Sequence, residues 1–108
     1  MTSKMLVVLT AIDSSERAAV LADKLVQTKL AACVQVLPPM TSFFYWEGAV
    51  QKESEHLLLI KTADEKYGEL EAFLRENHSY DVPEIVAIKA DRVSDDYAKW
   101  LGDYLFRP

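Results

Sequence analysis

Thr41-Ser42-Phe43-Phe44-Tyr45-Trp46-Glu47-Gly48 sets four aromatic side chains in succession just before a glycine. Strand side chains alternate between two faces, so Phe43 and Tyr45 point one way and Phe44 and Trp46 the other. Each aromatic can bury about 150–250 Å², and a monomer rarely exposes a contiguous apolar patch above about 600 Å². Two apolar surfaces therefore need cover. One is expected against the chain's own helices, the other against a second copy of the protein. Gly48 marks the turn, and Val50 to Lys52 with Glu55 to Thr62 form the return, Leu57 to Ile60 being its buried part. Upstream, Pro38-Pro39 removes two backbone donors in a row and interrupts the strand expected over Ala31 to Leu37. The product is a long hairpin, bent at the prolines, whose far half reaches beyond its own subunit.

Around this hairpin the chain reads as one domain, residues 1–108, large enough for a core without disulfides or metal staples. The formal net charge of -5 leaves no electrostatic footprint for phosphate backbones or anionic lipid, so neither nucleic acid nor membrane is expected as a partner. The single cysteine, Cys33, excludes an intrachain disulfide and suits a reducing compartment, here the cytoplasm. No stretch approaches the roughly 18 apolar residues of a membrane span.

Lys4 to Ala11 is a near-continuous apolar run, the pattern of a central strand buried on both faces. Asp13, with Glu16 three residues on, predicts a capping box. Ala18, Leu21, Ala22, Leu25 and Val26 then share one helical face. Thr62 with Glu65 predicts a second capped helix, with Tyr67, Leu70, Phe73 and Leu74 as its inner stripe and an end near Asn77. A polar loop, His78 to Glu84, leads to a last strand over Glu84 to Ala90. Ser94 caps a terminal helix whose stripe is Tyr97, Trp100, Leu101, Tyr104 and Leu105. Strand, helix, strand, strand, helix, strand, helix is the order of an α+β, ferredoxin-like split βαβ sandwich, with a long central hairpin, a C-terminal helix and the helices on one sheet face.

Ala31-Ala32-Cys33-Val34, Tyr45-Trp46-Glu47-Gly48, Glu55, Lys61-Thr62, His78-x-Tyr80-x-x-Pro83-Glu84 and Tyr97-x-x-Trp100 stand in the order and spacing of the CutA family of divalent-cation-tolerance proteins, and nearly the whole chain resembles that family. The resemblance implies a cytoplasmic homotrimer of ferredoxin-like subunits, with hairpins paired across subunit borders. It implies an association with copper and other divalent-cation tolerance, and no catalytic activity. Two positions depart from members linked to copper: Thr10 where some carry cysteine, and Asn77-His78 where some carry two histidines.

Cys33 and His78 are the expected metal residues, for copper or another divalent cation, because copper favours thiolate and imidazole. No CxxC or HxxxH spacing supports them, and a structural thiol with a loop histidine explains them as well. Lys61, Glu55, Glu84, Tyr45 and Tyr80 form the second constellation. Lys61 closes an apolar strand, where an ammonium needs a partner. The resemblance sets these five at an inter-subunit cleft, which reads either as a small-ligand pocket or as an interfacial salt-bridge network. The trimer interface is expected at Phe43, Phe44, Tyr45, Trp46 and Trp100. The resulting expectation is a trimeric binding or signalling protein. The alternatives are an inert trimer and a small enzyme using Lys61 or His78 as base.

Overall fold

The computed structural model describes residues 4–108. Strand β1 (Met5–Ile12) is followed by helix α1 (Ser15–Gln27), β2 (Cys33–Val36), β3 (Met40–Trp46), β4 (Ala49–Ala63), α2 (Tyr67–Asn77), β5 (Val86–Lys89) and α3 (Asp95–Phe106). A single 3-10 turn, Asp64–Lys66, joins β4 to α2. The sheet is antiparallel in the order β2-β4-β1-β5, and β3 pairs with the outer half of β4.

The register fixes which residues share a face. Val8 lies opposite Ile60, and Thr10 opposite Leu58. This face, with Leu6 and Ile12, packs against Ala18, Leu21 and Leu25 of α1 and Leu70 and Leu74 of α2 in one continuous core. The alternating residues Met5, Val7 and Leu9 are only half-buried, so β1 is central but covered on one face along most of its length, not on both. The expectation that all helices share one face also needs correction. Met5 and Ala63 point away from the main core, and there they meet Leu101, Leu105, Tyr97 and Tyr104 of α3. α3 therefore covers one end of the opposite face. The Tyr104 hydroxyl donates to the Val26 carbonyl, and Lys29 Nζ donates to the Arg107 carbonyl at 2.6 Å, which ties α3 to the end of α1.

The helix starts differ from expectation in detail. Ser14, not Asp13, caps α1, its hydroxyl accepting from the Arg17 N–H at 3.2 Å. Asp13 instead faces the Arg17 guanidinium at 3.8 Å. Thr62 caps nothing: it is the penultimate residue of β4, and its buried hydroxyl donates to the Leu30 carbonyl at 2.7 Å. Ser94 caps α3 as expected. The return of the hairpin is one unbroken strand of 15 residues rather than two segments. β2 and β5 are shorter than expected, four residues each, although the Ala32, Leu37 and Ala90 amides still bond to the neighbouring strands.

Candidate functional site

Three features carry the chemistry of the surface: the arm, the open sheet face and a hydrogen-bonded corner at the far end of β1. The arm is β3 with the outer part of β4, running from the pair Met40–Glu55 to Trp46–Ala49. Phe43, Phe44, Tyr45 and Trp46 are 67, 40, 72 and 45 % exposed. Neither face of the ribbon is covered by the chain's own helices, contrary to expectation, because the ribbon projects past them. The molecule measures 47 × 26 × 24 Å, and its radius of gyration is 14.6 Å, against about 13 Å for a compact chain of this length.

The open face is the side of the sheet that α1 and α2 leave bare. Cross-strand pairs place Val7 between Ile88 and Lys61, and Leu9 between Val86 and Leu59. Cys33 sits opposite Lys61, and Gln35 opposite Leu59. Val86 and Ile88 are about half exposed. The Lys61 ammonium lies 5.7 Å from the Tyr97 ring centroid, a cation–π contact that α3 brings in. In the sequence Tyr97 belongs to the apolar stripe of α3 and to the Tyr97-x-x-Trp100 spacing, and neither places it beside Lys61. Its role beside Lys61 depends on the placement of α3 across the sheet end, which no local pattern encodes.

The corner is built from His78, Tyr80 and Glu55. His78 ends α2 and is buried. Its Nε2 lies 2.9 Å from the Ala11 carbonyl, beyond the stretch of β1 that β5 pairs with. A carbonyl only accepts, so Nε2 carries the proton. Nδ1 then accepts the Tyr80 N–H at 3.0 Å. The two rings lie 4.7 Å apart, and the Tyr80 hydroxyl donates to Glu55 Oε2 at 2.7 Å. Burial pushes the His78 imidazole below its ordinary range, against the pull of the Ala11 carbonyl, Asp13 and Glu55. Burial, then the hydrogen bond to Glu55, pushes the Tyr80 phenol well above its usual value of 10.0.

Of the five cleft residues, one chain brings only Glu55 and Tyr80 together. Lys61 is six residues from Glu55 on the same strand, roughly 20 Å along it. Tyr45 projects from the arm and Glu84 is exposed before β5. Cys33 and His78 are likewise apart. Cys33 aligns through Lys61 with Val7, whereas His78 bonds Ala11, a separation of roughly 13 Å along β1 alone. Both His78 ring nitrogens are already engaged, so the residue has no lone pair to offer a metal. Among the described residues no group of three or more His, Cys, Asp or Glu side chains could hold an ion. The residues of one chain thus do not fit a copper site.

Comparison with known proteins gives the fold its context. The family model for the CutA1 divalent ion tolerance protein matches residues 6–104. The divalent-cation tolerance protein CutA of Thermus thermophilus is 40 % identical over 97 residues, spanning 90 % of this chain and 94 % of the relative. The chloroplastic protein CutA of Arabidopsis thaliana is 42 % identical over 100 residues, 93 % of this chain and 55 % of its own length. The chain spans about half the length of the plant and frog relatives it matches. The crystal structure of CutA1 from Oryza sativa superposes with a TM-score of 0.94 at 34 % identity, covering 99 % of this chain and 98 % of that one. The divalent cation tolerance protein CutA of Archaeoglobus fulgidus, described as periplasmic, does so with a TM-score of 0.90 at 33 % identity over 94 % and 98 % of the two chains. A family match along almost the whole sequence, a relative 40 % identical over 90 % of the chain, and a solved structure that superposes over 99 % of it show that the chain belongs to the CutA1 divalent ion tolerance family.

Proposed function

We propose that the chain works as a cytoplasmic homotrimer in divalent-cation tolerance, and that it takes a metal ion or small ligand in the clefts between subunits, with a signalling rather than a catalytic role. The exposed arm carries this reading. Four aromatics, 40 to 72 % exposed, stand on a two-stranded ribbon that the chain's own helices leave bare, the kind of exposed apolar surface that marks a protein–protein contact. The half-exposed open face, with Val86 and Ile88, is a second such surface. Pairing of each arm with a neighbouring subunit covers both. The relatives are named as tolerance proteins rather than enzymes, which points away from catalysis. No helix among the described residues is long and apolar enough to cross a membrane. The free Cys33 thiol supports a reducing compartment.

The split of the cleft residues follows from the same reading. Lys61 and Tyr45 are far from Glu55 within a chain, one along β4 and the other out on the arm, and a neighbouring subunit would complete such a cleft. Native mass in solution tests the assembly: a stable monomer at micromolar concentration overturns it. Copper titration of the assembled protein beside Cys33→Ser and His78→Ala tests the metal. Cys33→Ser is expected to weaken binding, and His78→Ala to leave it unchanged, because that ring is already spent on Ala11 and Tyr80. Equal affinity in all three removes Cys33 from the site, and a loss with His78→Ala returns His78 to it.

A further inference from the structure

The corner around His78 has the construction of a proton-operated latch. The loop that follows α2 is exposed at Ser79 and Asp81, and Val82 is 70 % exposed at its tip. Tyr80 anchors it twice, through its amide to His78 Nδ1 and through its hydroxyl to Glu55. Glu55 is buried opposite Met40, where the arm leaves the sheet. The anchor therefore joins the end of α2 to the base of the arm.

We propose that proton uptake by His78 opens this latch, releasing Tyr80 and residues 79–83 from the base of the β3–β4 arm. The neutral ring satisfies its two neighbours in one tautomer only. Nε2–H serves the Ala11 carbonyl, and the Nδ1 lone pair serves the Tyr80 amide. In the imidazolium both nitrogens are donors. Nε2–H keeps its carbonyl, but Nδ1–H then faces the Tyr80 N–H, donor against donor, and the two must separate. The charged groups that face the pair are Asp13 at the β1–α1 junction and Glu55 on β4, with Glu53 also acting on Tyr80. Arg17 of α1, which could repel the imidazolium, is turned to Asp13. Asp13 and Glu55 favour the proton, and burial opposes it more strongly. The latch accordingly stays shut at neutral pH and opens on the acid side of the ordinary histidine range.

Amide exchange followed by NMR on the protein in its native assembly tests this. With rates corrected for the intrinsic pH dependence, protection of the Tyr80 amide is expected to fall about tenfold or more as one hydrogen bond is lost between about pH 7.5 and about pH 5. The Leu58 amide in the core is expected to keep its protection. His78→Asn keeps an acceptor near the Nδ1 position but takes up no proton, and should abolish the response. Tyr80→Phe should lower protection at both pH values and retain the response. Unchanged Tyr80 protection, or the same fall in His78→Asn, overturns the latch. If His78→Asn does not fold, the His78 ring ¹⁵N shifts of the unaltered protein decide: the Tyr80 amide signal must move in step with them, and independent movement overturns the proposal.

Discussion

Thr10 and Thr62 look alike in the sequence, each near the end of an apolar run, and the fold treats them in opposite ways. Both are fully buried. The Thr62 hydroxyl donates to the Leu30 carbonyl at 2.7 Å, whereas Thr10 Oγ1 has no hydrogen-bond partner among the described residues. A buried unsatisfied polar atom costs about 1–3 kcal/mol, while a made hydrogen bond contributes about 1 kcal/mol net. Thr10→Val is therefore expected to stabilise the fold by about 1 kcal/mol in denaturant unfolding, and Thr62→Val to destabilise it by about the same amount. Equal losses from both would show that Thr10 has a partner after all. His78 sets a pH dependence of known sign. Its folded-state affinity for protons is depressed, so the unfolded chain binds more protons below the ordinary value of 6.5. Stability is full above that value and falls as the pH drops through the lowered folded-state range. Tyr80 acts at the other limit: its raised value keeps stability intact below 10.0 and loses it as the pH rises further. At this scale the sequence was least legible. The Tyr80–Glu55 bond spans 25 residues, and nothing local to either residue announces it.

Elements whose apolar period is local were legible: α1, α2, α3 and β1 all stand where their stripes place them. Their ends were less so, because competing caps sit side by side. Asp13 and Ser14 are both good N-caps, and one residue of offset decides which of them accepts the Arg17 amide. The tip of the arm shows the same gap between pattern and geometry. Gly48 marks the turn as read, but the two-residue connection also sets Glu47 at a φ of 51° beside Gly48 at 81°. Positive φ at both central positions is the type I′ arrangement that matches strand twist, and it favours Asn or Asp at the first of them. Glu47→Asn is expected to stabilise the hairpin by several tenths of a kcal/mol, up to about 1. Thermal unfolding of the variant checks it, and a lower midpoint would mean that Glu47 makes a compensating contact.

For the whole molecule, the aromatic stretch and the sheet order were enough to foresee the fold, but not how the surface divides. One chain leaves two apolar areas bare, the arm and the open face, because α1 and α2 are both spent on the main core. The residues that the sequence grouped as one cleft are spread over the arm, the open face and the corner, since the 15-residue β4 sets Glu55 near its middle and Lys61 near its end. If subunits assemble through these areas, substitutions on either should act on assembly before they act on the fold. Trp46→Ala removes part of the arm's apolar area while leaving the backbone pairing to Ala49 in place. Ile88→Lys puts a charge on the open face at a side chain already 51 % exposed, so a lone chain tolerates it. Sedimentation across a dilution series should show both variants dissociating at higher concentrations than the unaltered protein, with far-UV circular dichroism unchanged. Ile88→Lys is expected to have the larger effect, because burying an unpaired ammonium in an interface costs several kcal/mol and losing one aromatic anchor about 2 kcal/mol or more. Full assembly of Ile88→Lys would take the open face out of the interface, and full assembly of Trp46→Ala would leave the arm's aromatics without the partner that their exposure requires.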